Sequence, residues 1–378
     1  MDDEELTLFR DTLDRFIQDR VLPSHHEWEA GGMFPRSLWN EMGEQGFLAV
    51  DVPDAYGGFG ANFRFAMAVL EAFGSANCNG IATSLAVHSD IIAHYVVNHG
   101  TDAQKEYYLP RMISGDCVGA IGMTEPGAGS DLQGIRTTAR RDGDDYIING
   151  SKTFITNGQH CDLVVLVART RPDVAGSKGT TLFLVDADAP GFRRGRNLDK
   201  IGLHSSDTSE LFFDDMRVPA SAVLGEVDNG FGILMGELAR ERLALAVGAL
   251  ASTEGVLEET VAYVKERQAF GQPIAAFQNT RYTLADLATD VRVHRAFIDQ
   301  CCQQFMDGTL DVATVSMAKL ATTEMQKRVI DSCLQLHGGN GYMREYTVAR
   351  AYVDARVQRI YGGTSEIMKE LISRSVLK

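Results

Sequence analysis

The chain has 378 residues, 44% of them hydrophobic and 23% charged, with a formal net charge of −15. That length exceeds what one core usually serves and points to two or three domains, and the composition is that of an ordinary soluble globular protein. The acidic balance argues against nucleic acid or an anionic membrane surface as the main partner, while an anionic ligand can still sit in a local basic pocket.

The chain opens on Met1-Asp2-Asp3-Glu4-Glu5. This start is too acidic for a secretory or transit peptide, so the expected location is the cytoplasm, or the mitochondrial matrix if a presequence has been removed. Leu6, Phe9, Leu13, Phe16 and Ile17 recur at helical spacing and predict a helix over 4–20, with Pro23 beyond its end. A second helix is predicted over 35–46, and the Gly- and Pro-containing stretch 52–60 reads as a loop. Helical patterns return over 63–74, 80–98 and 102–114, so residues 1–116 read as a helical domain.

The pattern changes near Cys117. The apolar run Val118 to Met123 reads as a strand. Arg140-Arg141-Asp142-Gly143-Asp144 is a turn signal, and Asn149-Gly150 reads as a second one. Stretches 162–168, 180–185 and 209–213 are short and β-rich. Residues 117–227 are therefore expected to form a β-domain, a barrel or a sandwich. Beyond it, helices are predicted over 231–268, 277–306 and 310–336. A glycine break at Gly338-Gly339-Asn340-Gly341 precedes shorter helices over 345–358 and 364–375. Residues 228–378 suit a bundle of long antiparallel helices. Six cysteines, none in a C-x-x-C pair, give neither a disulfide framework nor a zinc pattern and point to a reducing compartment. No metal site is expected, and no apolar run reaches the length of a membrane span.

The stretch Met123-Thr124-Glu125-Pro126-Gly127-Ala128-Gly129-Ser130-Asp131 follows the first strand. Two glycines, an alanine and a serine leave amide N–H groups uncovered, as in an anion-binding nest. Taken alone, an ordinary tight turn is the commoner use of such a loop, and it matches neither the phosphate loop nor the dinucleotide fingerprint. Four more motifs follow it in order: Lys152–Asn157, Arg267–Gly271, Gln335–Gly339 and Tyr361–Glu366. With all five in place, the chain resembles the flavin-dependent acyl-CoA dehydrogenase family along nearly its whole length. That family has an α+β multidomain fold: an N-terminal helical domain, a middle β-barrel and a C-terminal four-helix bundle.

The resemblance implies non-covalent FAD and oxidation of an acyl-CoA to the trans-2-enoyl-CoA. It also implies an electron-transferring flavoprotein as electron acceptor and a homotetramer built as a dimer of dimers. Ile121 to Ser130, including Met123, Thr124 and Gly129, would lie along the flavin. Phe154, Ile155 and Thr156 would pack on its ring, with the Thr156 hydroxyl near N5. Arg267, in one motif with Phe270, would pair with the pyrophosphate. Gln335, Leu336, Gly338 and Gly339 would hold the adenosine end of a neighbouring subunit's FAD, with Gln278 nearby. Thr364 and Glu366 follow the turn that touches the cofactor. Ser130, Leu238, Arg242, Gly362 and Gly363 are the implied substrate contacts, with Arg242 toward the CoA phosphates.

The reaction needs a base for a weakly acidic α-proton. A carboxylate in a dry pocket is a stronger base, because burial raises its pKa. Many members of the family carry that base as the glutamate of a Tyr-Glu-Gly-Thr motif; here the position is Gly362. In the long-chain and isovaleryl-type branch the base comes from the helix that opens the C-terminal domain, and Glu241 matches it. Carboxylates at both places would set like charges together, so Gly362 and Glu241 account for one another. Against this stand a solvated helix charge for Glu241, a backbone turn requirement for Gly362, and Glu237, one helical turn away, as a rival base. If the base sits at Glu241, the amide that polarises the thioester carbonyl would come from Gly362. His337 falls in a cofactor-binding turn, and His88 and His204 read as structural or surface residues. The C-terminal stretch 351–372 resembles the long-chain branch most closely, which implies a long or branched acyl chain. Two further readings stay open: a flavin oxidase or monooxygenase of the same fold acting on a non-CoA substrate, and a fold relative that binds without chemistry.

Overall fold

A computed structural model describes residues 3–377. Helix α1 (Asp3–Phe16) passes through a π turn at Ile17–Val21 into α2 (Leu22–Gly31). Leu6, Leu13, Ile17 and Val21 form its buried stripe. Pro23 does not end the helix, contrary to expectation. It sits in the first turn of α2, where a missing N–H is tolerated, and Gly32 at φ +82° stops the helix instead. After α3 (Ser37–Glu44) comes α4 (Phe63–Ser75), whose first turn is capped by Asn62. The predicted 80–98 helix is α5 (Asn79–Leu85), a second π turn (Ala86–Ile92) and α6 (Ala93–His99) in one run. A Thr101/Gln104 capping box starts α7 (Asp102–Ile113).

Eight strands follow: β1 (Gly119–Gly122), β2 (Thr138–Asp142), β3 (Asp145–Thr156), β4 (Leu163–Arg169), β5 (Thr180–Asp186), β6 (Phe192–Asn197), β7 (Thr208–Pro219) and β8 (Val223–Leu224). Their hydrogen-bonded order is β6-β7-β3-β2-β4-β5-β8, with β1 parallel to β4. Strand β4 shows why its run is apolar throughout. Leu163, Val165 and Val167 face a cluster shared with α6 and α7, while Val164, Leu166 and Ala168 face the interior of the β-domain. Asn149-Gly150 is not a turn. It lies within β3, where the register against β7 shifts between Ile148 and Gly150, so the glycine marks a bulge. Strand β6 was not legible, because Arg193, Arg194 and Arg196 hide a strand at the sheet's end.

The last third is α8 (Gly230–Glu266), a β9–β10 hairpin (Gln268–Ala269, Gln272–Pro273), α9 (Gln278–Met306), α10 (Val312–His337), α11 (Thr347–Asp354) and α12 (Ser365–Val376). At 37 residues, α8 is about 55 Å long. One continuous core joins the two helical segments: Phe65, Val69 and Phe73 of α4 pack with Leu243, Val247 and Leu250 of α8 and with Val315, Met325 and Val329 of α10. This shared core fixes α8 against the N-terminal helices. Among the described residues, no helix is long and apolar enough to cross a membrane.

Candidate active site

Glu241 lies in the fourth turn of α8 and is 4% exposed. The Tyr95 hydroxyl of α6 donates to its Oε1 at 2.9 Å. Oε2 accepts no hydrogen bond from the described residues. Burial pushes the carboxyl up to about 7; the Tyr95 hydrogen bond opposes the rise, Glu237 adds to it and Arg242 opposes it. A solvated helix charge is therefore not what Glu241 is. Glu237 has a different environment. Asn98 Nδ2 donates to both of its oxygens, at 3.1 and 3.2 Å, and His99 Nε2 lies 2.7 Å from Oε1. Both of its oxygens are occupied, and of the two glutamates Glu241 alone offers a carboxyl oxygen without a partner among the described residues.

Arg240, the next residue along, is 7% exposed. Its guanidinium donates to Asp51 Oδ2 at 2.7 Å, to Asp90 Oδ1 at 2.9 Å and to the Asp90 carbonyl at 3.1 Å. His94 Nε2 lies 3.0 Å from the other oxygen of Asp51. Burial raises the Asp90 carboxyl to about 6 against the pull of Arg240, whereas Arg240 and His94 overcome burial at Asp51 and hold it low. The π turn that carries Asp90 is thus clamped to α8 beside Glu241.

Gly362 and Gly363 succeed one another at φ +63° and +93°, a backbone that side chains rarely adopt. A Cβ at Gly362 would lie 2.3 Å from Leu245 Cδ1. The turn requirement is therefore real at this position, and a side chain there would also have to displace Leu245. Neither amide has an internal acceptor among the described residues. The Gly363 carbonyl accepts from Lys319 Nζ at 2.7 Å, and Lys319 is fully buried. Arg242 lies between Glu241 and this turn. It is 5% exposed, and its Nε has no partner. So buried a guanidinium is not on the solvent side, and its Nη2 lies 3.9 Å from where a Cβ at Gly363 would sit. Leu238, one turn before Glu241, is half-buried.

The loop after β1 closes on itself through two backbone bonds between Glu125 and Ala128, so the Ala128 amide is spent. The amides of Gly127, Gly129 and Ser130 remain without internal partners, and a Cβ at either glycine would meet nothing within 4 Å. Ile121 and Met123 pack half-buried on the helical side, and Thr124 is half-buried. Lys152 anchors the loop: its fully buried Nζ donates to Glu125 Oε1 at 2.8 Å and to the Met123 carbonyl at 3.0 Å. Glu125 also accepts the Arg136 and Thr137 amides. Lys152→Met should cost about 3–5 kcal/mol, because it strands a buried carboxylate; urea unfolding at neutral pH measures it. Lys152 and Glu125 lie inside quoted motifs, yet nothing in their spacing announced an ion pair.

At a second bulge of β3, Phe154 takes φ +59° and is 67% exposed. Ile155 is 3% exposed and packs inside the β-domain, so its side chain cannot share the face of Phe154 and Thr156. The implied contact of the Ile155 side chain with a flavin ring is thereby corrected; Thr156 is half-buried and available.

A separate groove of about 310 Å³ is lined by Tyr263, Arg267, Ile274 and Gln335 to Asn340. Arg267 is exposed and forms no ion pair with a described residue. His337 stacks on Tyr263 at 4.2 Å, and its Nδ1 lies 2.9 Å from the Cys333 carbonyl; its buried Nε2 has no partner. Phe270, 95% exposed, tips the β9–β10 hairpin, where it and Gly271 both take positive φ. Gln278 starts α9 and donates to Tyr282. Thr364 caps α12 through the Ile367 amide, and Glu366 is exposed in its first turn. His88 is buried between the Met112 carbonyl and the Gly119 amide, a structural role, and His204 is half-buried. No group of His, Cys, Asp or Glu among the described residues is arranged to hold a metal.

The acyl-CoA dehydrogenase N-terminal, middle and C-terminal domain families match residues 3–116, 120–216 and 228–377. The chain is 50% identical over 374 residues to the mitochondrial long-chain specific acyl-CoA dehydrogenase of Sus scrofa, covering 99% of this chain and 86% of the relative. The crystal structure of an acyl-CoA dehydrogenase from Geobacillus kaustophilus superposes with a TM-score of 0.96 at 45% identity, over 99% of this chain and 98% of that one. A chain from a structure of the electron transferring flavoprotein of Acidaminococcus fermentans superposes with a TM-score of 0.95 at 34% identity, over 100% of both. Three consecutive domain matches and half-identity along the whole chain decide the matter: this protein belongs to the acyl-CoA dehydrogenase family of FAD-dependent oxidoreductases.

Proposed function

We propose that the chain dehydrogenates a long-chain acyl-CoA between its α and β carbons with Glu241 as the base, and passes the electrons to an electron-transferring flavoprotein. The observation that carries this reading is the buried Glu241 carboxyl with its one unoccupied oxygen, on the seam between α8 and α6. The similarity to a long-chain specific enzyme supports the chain-length class.

The residues present fit FAD. Free amides at Gly127, Gly129 and Ser130 suit its phosphate-bearing part, and exposed Phe154 with half-buried Thr156 offers a face for a flat ring. Arg267 shares a groove with Gln335 to Gly339 and with the bare Nε2 of His337, and no residue of the Met123–Thr156 region lines it. This supports a flavin shared between two copies, with Arg267 and Gln335, Leu336, Gly338 and Gly339 all serving the neighbour's FAD, within a dimer of dimers. When bound, FAD supplies the acceptor for the β-hydride.

The chain's own residues do the rest. Glu241 Oε2 takes the α-proton, at a carboxyl whose burial matches its basicity to neutral pH. The free Gly362 amide donates to the thioester oxygen, where charge develops as the proton leaves. Ser130 and Leu238 line the path of the thioester, and the Gly362-Gly363 turn leaves it room. Arg242 stands beside the carboxyl and opposes further neutralisation of it.

The test is an anaerobic visible-absorbance titration of the purified protein with CoA thioesters from short to long, branched ones included. Bleaching of the flavin by long-chain thioesters is the expected result. A yellow protein that no thioester bleaches, and that air reoxidises rapidly after chemical reduction, would overturn the proposal in favour of an oxidase.

A further inference from the structure

Three polar residues on one side of α8 are gripped by a single segment of the N-terminal domain. Glu237 is held by Asn98 and His99, Arg240 by the carboxylate and carbonyl of Asp90, and Glu241 by Tyr95. These three contacts fix the 90–99 segment against α8. The Tyr95 hydroxyl, on a side chain with 0% exposure, therefore has one place to be. It is also the only hydrogen-bond donor to Glu241 among the described residues.

We propose that Tyr95 is the positioning residue of the base: its hydroxyl pins Oε1 of Glu241, so that Oε2 is the oxygen presented to the α-hydrogen. The inference rests on the reading of Glu241 as that base. A glutamate has three side-chain torsions to fix, and a free one in this pocket has an alternative partner. Arg242 adjoins it with an unpartnered Nε. A carboxylate drawn onto that guanidinium would give up the orientation in which Oε1 is held and Oε2 is free. Tyr95, already immobilised by packing, wins the carboxylate for the productive geometry at little entropic cost. An ionised carboxylate can only accept, so the phenol donates, and the bond favours the charged form that is competent as a base.

The groups that bear on this carboxylate come from two elements. Tyr95 faces it from α6, and Glu237 and Arg242 face it from α8 itself. His99 acts one contact further off through Glu237, as Lys319 of α10 does through Arg242. The Gly362-Gly363 turn contributes no side chain.

The direct test is Tyr95→Phe, which removes one oxygen atom and leaves the ring. In the FAD-loaded protein, the infrared carboxyl band lost in Glu241→Gln is followed against pH. Its midpoint should rise by roughly one pH unit in Tyr95→Phe, the effect of losing one hydrogen bond to a charged group. The acidic limb of kcat/KM should move with it. An unmoved midpoint in folded, yellow Tyr95→Phe overturns the proposal. Wild-type turnover by Glu241→Gln would instead remove the base reading, and the infrared midpoint would still decide the hydrogen bond. A second readout needs no stable Tyr95 variant. With 3-fluorotyrosine at the 11 tyrosines, one fluorine signal should titrate with Glu241 and cease to do so in Glu241→Gln. The absence of any such signal also overturns the proposal.

Discussion

Glu241→Gln is expected to lower turnover of a CoA thioester by roughly 10²- to 10⁴-fold, the worth of a positioned general base, while leaving the protein yellow. The same change should make the protein more stable at alkaline pH. The folded carboxyl titrates near 7 against an ordinary value of 4.5. An acid raised in this way favours folding below its unfolded pKa and loses that contribution as pH rises through the folded value. At pH 8 the native protein therefore carries a buried charge at a cost on the order of 3 kcal/mol, and glutamine removes it. Asp354, raised by burial to about 7, and Asp207, raised by burial to about 6, impose the same trend on both proteins and cancel in the comparison. Thermal melts should show the variant ahead of wild type at pH 8 and level with it near pH 4. Near-normal turnover would sink the base assignment. Equal melting at pH 8 would mean that the carboxyl is not desolvated.

Arg240→Met should cost about 3–5 kcal/mol, on a par with Lys152→Met. It leaves Asp51 and Asp90 facing each other with His94 as the remaining hydrogen-bond partner of Asp51, and it withdraws the guanidinium from the rings of Phe63 and Phe305. The loss should shrink as pH falls. Asp90 stands near 6 even with Arg240 in place, so without it the carboxyl protonates more readily, and stability returns below the raised value. Adding Asp90→Asn should recover part of the loss, a non-additivity expected of direct neighbours. Urea unfolding at pH 8 and pH 5.5 measures both effects. A pH-independent loss under about 1 kcal/mol would show that the cluster is not a buried charge network.

The helical segments were legible because their apolar stripes repeat at 3.6 residues over long windows. The continuity across Ile17–Val21 and Ala86–Ile92 was not, because a π turn inserts one residue without altering composition. Asn149-Gly150 misled for a related reason: Gly150 supplies a bulge, and the dipeptide's turn signature is the same whether the strand ends or kinks. Of the candidate site, Glu241 and Gly362 could be picked out from motifs alone, since each explains the other. Burial separated what motifs could not. It put the Ile155 side chain in the core of the β-domain and Arg242 off the solvent side, and it set Glu241 apart from Glu237, whose oxygens are occupied by Asn98 and His99. Tyr95, Arg240 and Lys319 were out of reach, because their partners lie 146, 150 and 44 residues away in sequence.

The left-handed turn at Gly362 also sets a limit on how this lineage can change. A glutamate there would have to adopt φ +63°, at roughly 1–2 kcal/mol, with a Cβ 2.3 Å from Leu245 Cδ1. It would also bring a second carboxylate into a pocket that already houses Glu241. Vacating position 241 first would forfeit the base. A carboxylate at 362 therefore has to overcome a left-handed backbone and displace the Leu245 side chain before it can be of use, so this turn holds its glycine on conformational grounds whatever residue serves as base.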